Sequence, residues 1–150
     1  MMKEFIKKIP TSEKIDGSVT LTLEQRVKSR LKANLDSGED VGIFMQRGSV
    51  LEHSDLIATE DDFIVQVVAA PELLSSVYTS DSVLLARACY HLGNRHVELQ
   101  ITQNSIHYRH DHVLDEMVQS FGLDVVSETL PFRPEKGAYN SHSSGHGHHH

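Results

Sequence analysis

The amino-acid sequence predicts an α+β protein in three consecutive parts: a small all-β module over residues 1–70, a mixed domain over 71–136 and a disordered, histidine-rich tail over 137–150. Three patterns support this division. The first part alternates apolar and polar residues with a period of two, as half-buried strands do. The second part adds apolar residues at helical spacing. The third has almost no apolar residue and cannot offset the entropy of ordering.

Strand alternation in the first part is clearest where Val19, Leu21 and Leu23 are separated by polar residues. The apolar residues that follow are spaced by four, which suits a helix or a strand. A strand would point Arg26 outward and Val27 inward. The turn-forming run Asp-Ser-Gly-Glu-Asp and the apolar run after it favour a strand and a hairpin.

The later part of the chain follows the order strand-helix-strand-strand-helix-strand. The predicted elements are a strand over 63–70, a helix over 80–93, strands over 97–101 and 106–109, a helix over 113–121 and a strand over 123–130. Ser80 or Asp81 can cap the first helix, and Gly93 can end it in the left-handed conformation. Pro71 closes the first strand and Pro131 the last. This order is that of the ferredoxin-like βαββαβ unit.

Composition excludes several classes of protein. The formal net charge is −7, with 21 acidic and 14 basic residues, so nucleic acid is not expected as the main partner. No apolar run is long enough for a membrane span. The charged start is not followed by an apolar segment, so we expect no secretory signal. The single cysteine, Cys89, excludes an internal disulfide framework and a cysteine-based zinc cluster. We therefore expect a cytoplasmic protein.

Histidine is unusually frequent, at 11 of 150 residues. Imidazole without thiolate suits Ni(II), Cu(II) or Zn(II), whereas the oxygen-rich loops that bind Ca²⁺ or Mg²⁺ are missing from the sequence. The His-Glu-x-x-His motif of zinc proteases and the phosphate-binding Gly-x-x-x-x-Gly-Lys-Ser/Thr motif are missing as well. The composition therefore indicates binding of a divalent transition metal rather than a recognisable catalytic site.

The pair His110 and His112 is one candidate metal site. In an extended segment, residues two apart point to the same side, so both imidazoles can face one space. A helix start disfavours a protonated imidazole, and a metal ligand must be neutral. Asp111 can be the helix N-cap or an acceptor that fixes a histidine tautomer. The competing interpretation is an exposed histidine pair that flanks a cap.

Other histidines are harder to interpret from the residues alone. His96 follows a helix stop at the mouth of a strand, where a loop histidine held by backbone contacts is the more common case. His53 and His91 are more easily explained as structural residues. His107 alternates with its neighbours in a short strand and is expected on a solvated face. Cys89 lies on the apolar side of a helix as a small buried residue.

The tail presents several imidazoles on a chain that is free to wrap around a cation. These are His142, His146, His148, His149 and His150. Such a site is loose, multidentate and exchangeable. An expression tag is the alternative explanation. The irregular spacing, interrupted by glycine and serine, favours a natural tail.

Three segments resemble the UreE family, the nickel metallochaperones of urease. They are residues 93–100, which read Gly-Asn-Arg-His-Val-Glu-Leu-Gln, together with 111–117 and 121–123. The resemblance is strong over residues 65–135, weaker over the β module, and only compositional in the tail.

This resemblance implies a β module suited to docking a peptide or protein, followed by a ferredoxin-like metal domain in a homodimer. It implies that His96 is the shared nickel ligand and pairs with its mate across the dimer interface. Some members have a pair like His110 and His112, and many carry a histidine-rich C-terminal tail. The implied function is delivery of Ni(II) to apo-urease together with other accessory proteins, including a GTPase. The protein would not be an enzyme.

Three alternatives remain open at this stage. A passive nickel, copper or zinc buffer would use the tail alone. A metal-dependent hydrolase would use His110, His112 and an acid such as Glu116 or Glu98, although the sequence has no motif for it. The β module could also be the main functional part, as a docking surface to which the metal is incidental.

Overall fold

The computed structural model describes residues 1–137, and the chain divides into two compact units, Met1–Ala70 and Pro71–His150. Apart from Gly137, the predicted disordered tail lies outside the described residues. The first unit contains β1 (Lys3–Phe5), β2 (Lys7–Ile9), β3 (Gly17–Leu21), α1 (Leu23–Arg26), β4 (Arg30–Asn34), β5 (Asp40–Phe44), β6 (Leu56–Ala58) and β7 (Ile64–Ala69).

Two sheets form the first unit. One has the strand order β1-β5-β4, with β1 parallel and β4 antiparallel to β5. The other has the order β2-β6-β7-β3, in which only β3 and β7 are parallel. One large apolar cluster draws on both sheets, with Phe5 and Ile43 from the first and Val19 and Val65 from the second. Burial of this cluster is the main force that stabilises the unit.

The predicted strand around Arg26 is wrong, because a short helix occupies that position. Thr22 and Gln25 form a capping box in which each side chain bonds the other residue's backbone amide, and this starts α1. Arg26 is 2% exposed and donates from Nε to the carbonyl oxygen of Leu21 at 3.2 Å, whereas Val27 is exposed. The hairpin predicted after it is confirmed by the antiparallel pairing of β4 with β5.

The second unit contains six elements in the described residues. They are β8 (Pro71–Tyr78), α2 (Ser82–Asn94), β9 (Gln100–Ile101), β10 (Ser105–Arg109), α3 (His112–Gln119) and β11 (Val126–Pro131). The strands form one antiparallel sheet with the order β11-β8-β10-β9. Sheets and helices occur together, so the predicted α+β class is confirmed.

The first strand of this unit differs from the predicted one. The β-branched run over 63–70 forms β7 of the first unit, parallel to β3. The opening strand of the second unit is β8, which begins at Pro71, a position that a strand tolerates because it is the first residue. Polar Ser75 and Ser76 interrupt the apolar pattern of β8 and hide it in the sequence. The predicted strand over 97–101 is reduced to the two residues of β9.

Cross-strand register defines the two faces of this sheet. Val77 lies opposite Ile106, and both belong to an apolar cluster with buried residues of α2 and α3. Ser76 lies opposite His107 on the other face, because successive side chains of a strand alternate. Side chains on both faces are buried, among them Leu74, which is fully inaccessible.

The chain after β11 crosses to the opposite edge of the sheet. The amide of Arg133 donates to the side-chain oxygen of Gln100 at 2.8 Å, and the amide of Glu135 donates to the carbonyl oxygen of Leu99 at 2.6 Å. Phe132, at the start of this crossing, is completely buried. Across residues 1–137, no helix is long and apolar enough to cross a membrane.

Candidate metal centre

His96 occupies the turn that ends α2. The amide of His96 donates to the carbonyl oxygen of Gly93 at 2.9 Å, and the amide of Val97 donates to that of Leu92 at 3.2 Å. These two bonds form a Schellman motif, in which the residue that follows the C-cap is left-handed. That residue is His96, with φ of 59°, and not Gly93, which lies inside the helix. The predicted left-handed stop at Gly93 is therefore wrong.

The turn places the His96 side chain at the surface, where it is exposed. A left-handed conformation is strained for a residue with a Cβ atom, and the surrounding bonds must hold it there. The turn therefore fixes the backbone from which the imidazole projects. Such a fixed, exposed imidazole can donate a nitrogen lone pair to a metal ion that approaches from solvent.

His110 lies between β10 and α3 and is held at one ring nitrogen. Its Nδ1 atom is 3.2 Å from the hydroxyl oxygen of Ser75 and 3.5 Å from Oδ2 of Asp115. Oδ1 of Asp115 accepts a hydrogen bond of 2.6 Å from the hydroxyl of Tyr108. Burial, and then the bond to Asp115, raise the pKa of the Tyr108 phenol, which therefore remains a donor.

His112 is placed differently, on the exposed side of α3. Its Nε2 atom lies 3.0 Å from Oε2 of Glu116, four residues along the helix. Asp111 caps the helix by accepting hydrogen bonds from the amides of Val113 and Leu114, at 2.9 and 3.1 Å. The predicted N-cap is confirmed. Asp111 was also considered as the acceptor that fixes a histidine tautomer. In the structure, the carboxylate near the His110 ring belongs to Asp115, and the one near the His112 ring belongs to Glu116.

Within the described residues of one chain, His96, His110 and His112 do not form a complete site. In the part of the chain that the structure describes, no three His, Cys, Asp or Glu side chains are grouped to hold a metal ion. The tail candidates His142, His146, His148, His149 and His150 lie outside that part. Glu98, an acid considered for a hydrolase, forms an ion pair with Arg109, whose guanidinium donates to Oε1 of Glu98 at 2.9 Å.

Comparison with known proteins gives the family. The family model described as "UreE urease accessory protein, C-terminal domain" matches residues 72–150, and the corresponding "N-terminal domain" model matches residues 2–70. The chain belongs to the UreE family. It is 52% identical over 128 residues to the urease accessory protein UreE of Enterobacter sp. strain 638, which covers 85% of this chain and 84% of that protein.

Two further relatives extend this similarity. UreE of Pseudomonas putida strain W619 is 49% identical over 136 residues, covering 90% of this chain and 84% of its own. UreE of Escherichia coli O157:H7 is 46% identical over 143 residues, covering 95% and 93%. The resemblance drawn from residues 93–100, 111–117 and 121–123 is thereby confirmed. Membership of an accessory-protein family also confirms that the chain is not an enzyme.

The prediction that His107 lies on a solvated face of this UreE domain is wrong. Its side chain is buried, with only 4% exposed. Its Nδ1 lies 2.7 Å from the hydroxyl of Ser76 and its Nε2 lies 2.9 Å from the hydroxyl of Ser105. Burial lowers the pKa of His107 below its ordinary value, which Glu128 opposes only in part. The sequence hints at the burial of His107 only through the serines that stand next to apolar residues in β8 and β10.

Three other residues have the structural roles expected of them. The backbone amide of Ala69 donates to Nδ1 of His53 at 3.1 Å. The ring of His91 packs against those of Tyr90 and Phe121, with centroids 5.2 and 5.0 Å away. The half-buried Cys89 packs against the core of the second unit, and burial raises the pKa of its thiol. These contacts give each residue a role without a metal.

Sequence reasoning missed the partners of His110. Ser75 comes from β8, Tyr108 from β10 and Asp115 from the first turn of α3. Of these, only the spacing of Asp115 from His110 is local in sequence, and a spacing of five is not a motif. The arrangement is visible only once the sheet and α3 are assembled.

Proposed function

We propose that this UreE family member binds Ni(II) through His96 and hands it to apo-urease, acting as a homodimeric nickel metallochaperone in the cytoplasm. The observation that carries the proposal is the placement of His96. It is the exposed, left-handed residue at the end of α2, within the Gly-Asn-Arg-His segment. An imidazole ligand set suits Ni(II), and Cu(II) or Zn(II) would compete for the same histidines.

Dimerisation would make a single His96 per chain useful. One imidazole is a poor ligand set, but a twofold axis brings two copies of the same surface together and doubles it. A carrier must also release its metal, for which an exposed and incomplete ligand shell is better suited than a closed structural site. The incompleteness of the site within residues 1–137 of one chain supports this interpretation.

We infer auxiliary roles for the remaining candidate histidines. His110 and His112 would hold metal near α3, and the tail would supply weak, exchangeable ligands. The tail residues in this proposal are His142, His146, His148, His149 and His150. Such sites would raise the local metal concentration without determining the affinity of the His96 site.

The two units would have different roles in this function. We infer that residues 71–136 have the ferredoxin-like arrangement, supported by the βαββαβ element order and the strand order β11-β8-β10-β9. The module over residues 1–70 would dock protein partners: the urease apoprotein and other accessory proteins, including a GTPase. The formal net charge of −7 supports protein rather than nucleic-acid partners.

The experiment is a nickel titration by calorimetry on protein whose mass in solution is measured by light scattering. His96→Asn is the main variant, because asparagine tolerates the left-handed conformation while removing the imidazole. We expect one tight nickel site per dimer in the wild type and its loss in His96→Asn. His53→Gln is the matched control and should retain it. A tight site that survives His96→Asn contradicts the proposal.

A passive metal buffer is the second candidate, favoured by the concentration of histidines after residue 141. Removal of residues 141–150 separates the two functions. A chaperone retains the tight dimeric site and loses only weak equivalents, whereas a buffer loses nearly all of its nickel. Urease activation in a reconstituted assay then distinguishes delivery from storage: His96→Asn should abolish the stimulation of activation.

A further inference from the structure

The His110 ring has its two described polar contacts on the same nitrogen. Nδ1 lies 3.2 Å from the hydroxyl oxygen of Ser75 and 3.5 Å from Oδ2 of Asp115. A lone pair on Nδ1 would face the negative charge of the Asp115 carboxylate, so this contact favours the tautomer with the proton on Nδ1, from which the Ser75 hydroxyl can accept. In the neutral ring the lone pair is then on Nε2. The His110 side chain is 39% exposed, so solvent reaches the ring.

Asp115 is itself fixed in place. Its side chain is only 13% exposed, and its Oδ1 atom accepts a 2.6 Å bond from the hydroxyl of the fully buried Tyr108. Because Tyr108 occupies Oδ1, the other oxygen is left for His110. The backbone amide of Asp115 donates to the carbonyl oxygen of Asp111 at 2.9 Å, which ties it to the capped first turn of α3.

The arrangement draws on three elements of the second unit. Ser75 is on β8 and Tyr108 on β10, where the two residues are paired in register, and Asp115 is on α3. The Asp115 carboxylate lies between the buried Tyr108 and the half-exposed imidazole of His110. It is not needed as a helix cap, because Asp111 already accepts the free amides at the start of α3. Its geometry matches the outer carboxylate that commonly orients a metal-ligating histidine.

We propose that Asp115, assisted by Ser75, is a positioning residue that holds His110 with its proton on Nδ1 and presents Nε2 to a divalent transition-metal ion. The identity of that ion as nickel rests on the proposed function, whereas the orientation of the ring does not. His112 lacks such support: its Nε2 atom faces Glu116 in a solvent-exposed pair, with the two side chains 82% and 64% exposed. The two histidines are therefore unequal ligands, of which His110 is the preorganised one.

The first test reads the tautomer directly, without metal. Long-range ¹H–¹⁵N NMR on the metal-free full-length protein, at about pH 8 where histidine is ordinarily neutral, distinguishes protonation at Nδ1 from protonation at Nε2. We expect His110 to be protonated at Nδ1 in the wild type. In Asp115→Asn the amide group can donate to Nδ1, so the population should shift towards the Nε2–H form.

Glu116→Gln is the matched control, since it removes the neighbouring carboxylate that faces His112 and leaves Asp115 unchanged. It should leave the His110 tautomer as in the wild type. A wild-type His110 protonated at Nε2, or a tautomer that Asp115→Asn does not change, overturns the proposal. Far-UV circular dichroism of each variant verifies that α3 is retained.

The second test follows the metal at this ring alone. Zn(II), which is diamagnetic, is titrated into the full-length protein while the ¹⁵N shift of His110 Nε2 is observed. Loss of an outer-shell partner ordinarily lowers metal affinity about 10- to 100-fold, and we expect this range for Asp115→Asn and no comparable change for Glu116→Gln. Equal affinities in wild type and Asp115→Asn contradict the positioning role.

These outcomes are separable from failure of the proposed function. If His96→Asn leaves the tight nickel site intact but Asp115→Asn shifts the His110 tautomer and weakens Zn(II) binding, the nickel role of His96 fails and the positioning role of Asp115 is retained. The reverse pattern rejects Asp115 and retains His96.

Discussion

The backbone amide of Val97 donates to the carbonyl oxygen of Leu92 at 3.2 Å, and this bond closes α2 around the left-handed His96. Both bonded residues pack in the core of the second unit. Glycine is the usual residue at the left-handed position just before Val97, which His96 occupies here. The histidine is held there because the bonds and the apolar contacts on either side determine the turn.

The first prediction concerns the strain at this turn. His96→Gly should have a free energy of unfolding about 1 kcal/mol higher than His96→Ala, because only a residue with a Cβ atom is penalised in the left-handed conformation. Both substitutions remove the imidazole, so the comparison cancels its contacts. Urea denaturation followed by circular dichroism measures the difference. If the alanine variant is as stable as the glycine variant, the turn is not strained in solution.

The second prediction concerns the start of α3. Asp111→Ala removes the acceptor for the amides of Val113 and Leu114, so it should lower the free energy of unfolding by about 1 kcal/mol. Asp111→Asn is the control, since asparagine is an equally good cap and should cost little. Chemical denaturation of the three proteins provides the measurement. An alanine variant as stable as the asparagine variant would show that the cap contributes nothing.

The third prediction is a pH dependence caused by His107. Burial lowers the pKa of His107 below its ordinary 6.5, so the unfolded chain takes up a proton at a higher pH than the folded one. The resulting stability is fully present above about pH 6.5, the ordinary value, and is lost as the pH falls towards the lower folded-state pKa. Acidification should therefore destabilise the second unit.

Two measurements check this pH dependence. An NMR titration of the His107 ring should give a midpoint below the ordinary histidine pKa of about 6.5. In His107→Gln, the free energy of unfolding should decrease less steeply between about pH 7 and pH 5, a range around the ordinary histidine pKa. Identical slopes in the two proteins would mean that His107 does not titrate differently on folding.

Local signals in the sequence predicted the two longer helices, α2 and α3, but not the short α1. Asp81 and Asp111 are the N-caps of α2 and α3, and apolar residues at helical spacing identify both helices. Strands were harder to predict, because their stability depends on partners that are distant in the chain. The run over 63–70 was correctly recognised as a strand, but its pairing with β3 could not be inferred from its own residues.

The candidate metal centre was predictable only in part. The motif around His96 makes that residue a candidate ligand, but it did not predict the left-handed backbone, since glycine is the residue that normally ends a helix in this way and Gly93 was expected to do so. The alternation in β10 placed His107 on the second face of the sheet and gave no information about what buries that face. The contact between Asp115 and His110 depends on the turn from β10 into α3, and the contact between Ser75 and His110 depends on the pairing of β8 with β10, which no local pattern specifies.

The last prediction concerns the segment that follows β11. Phe132 is completely buried, so Phe132→Ala should lower the free energy of unfolding by about 3–5 kcal/mol, the usual cost of deleting a buried aromatic ring. Arg133→Ala is the matched neighbour and should have little effect, because the bond to Gln100 uses the backbone amide. Gln100→Ala removes the acceptor and should cost about 1 kcal/mol. Urea denaturation ranks the three variants. If Phe132→Ala costs no more than Gln100→Ala, the segment is attached to the sheet by its hydrogen bonds and not by burial of the ring.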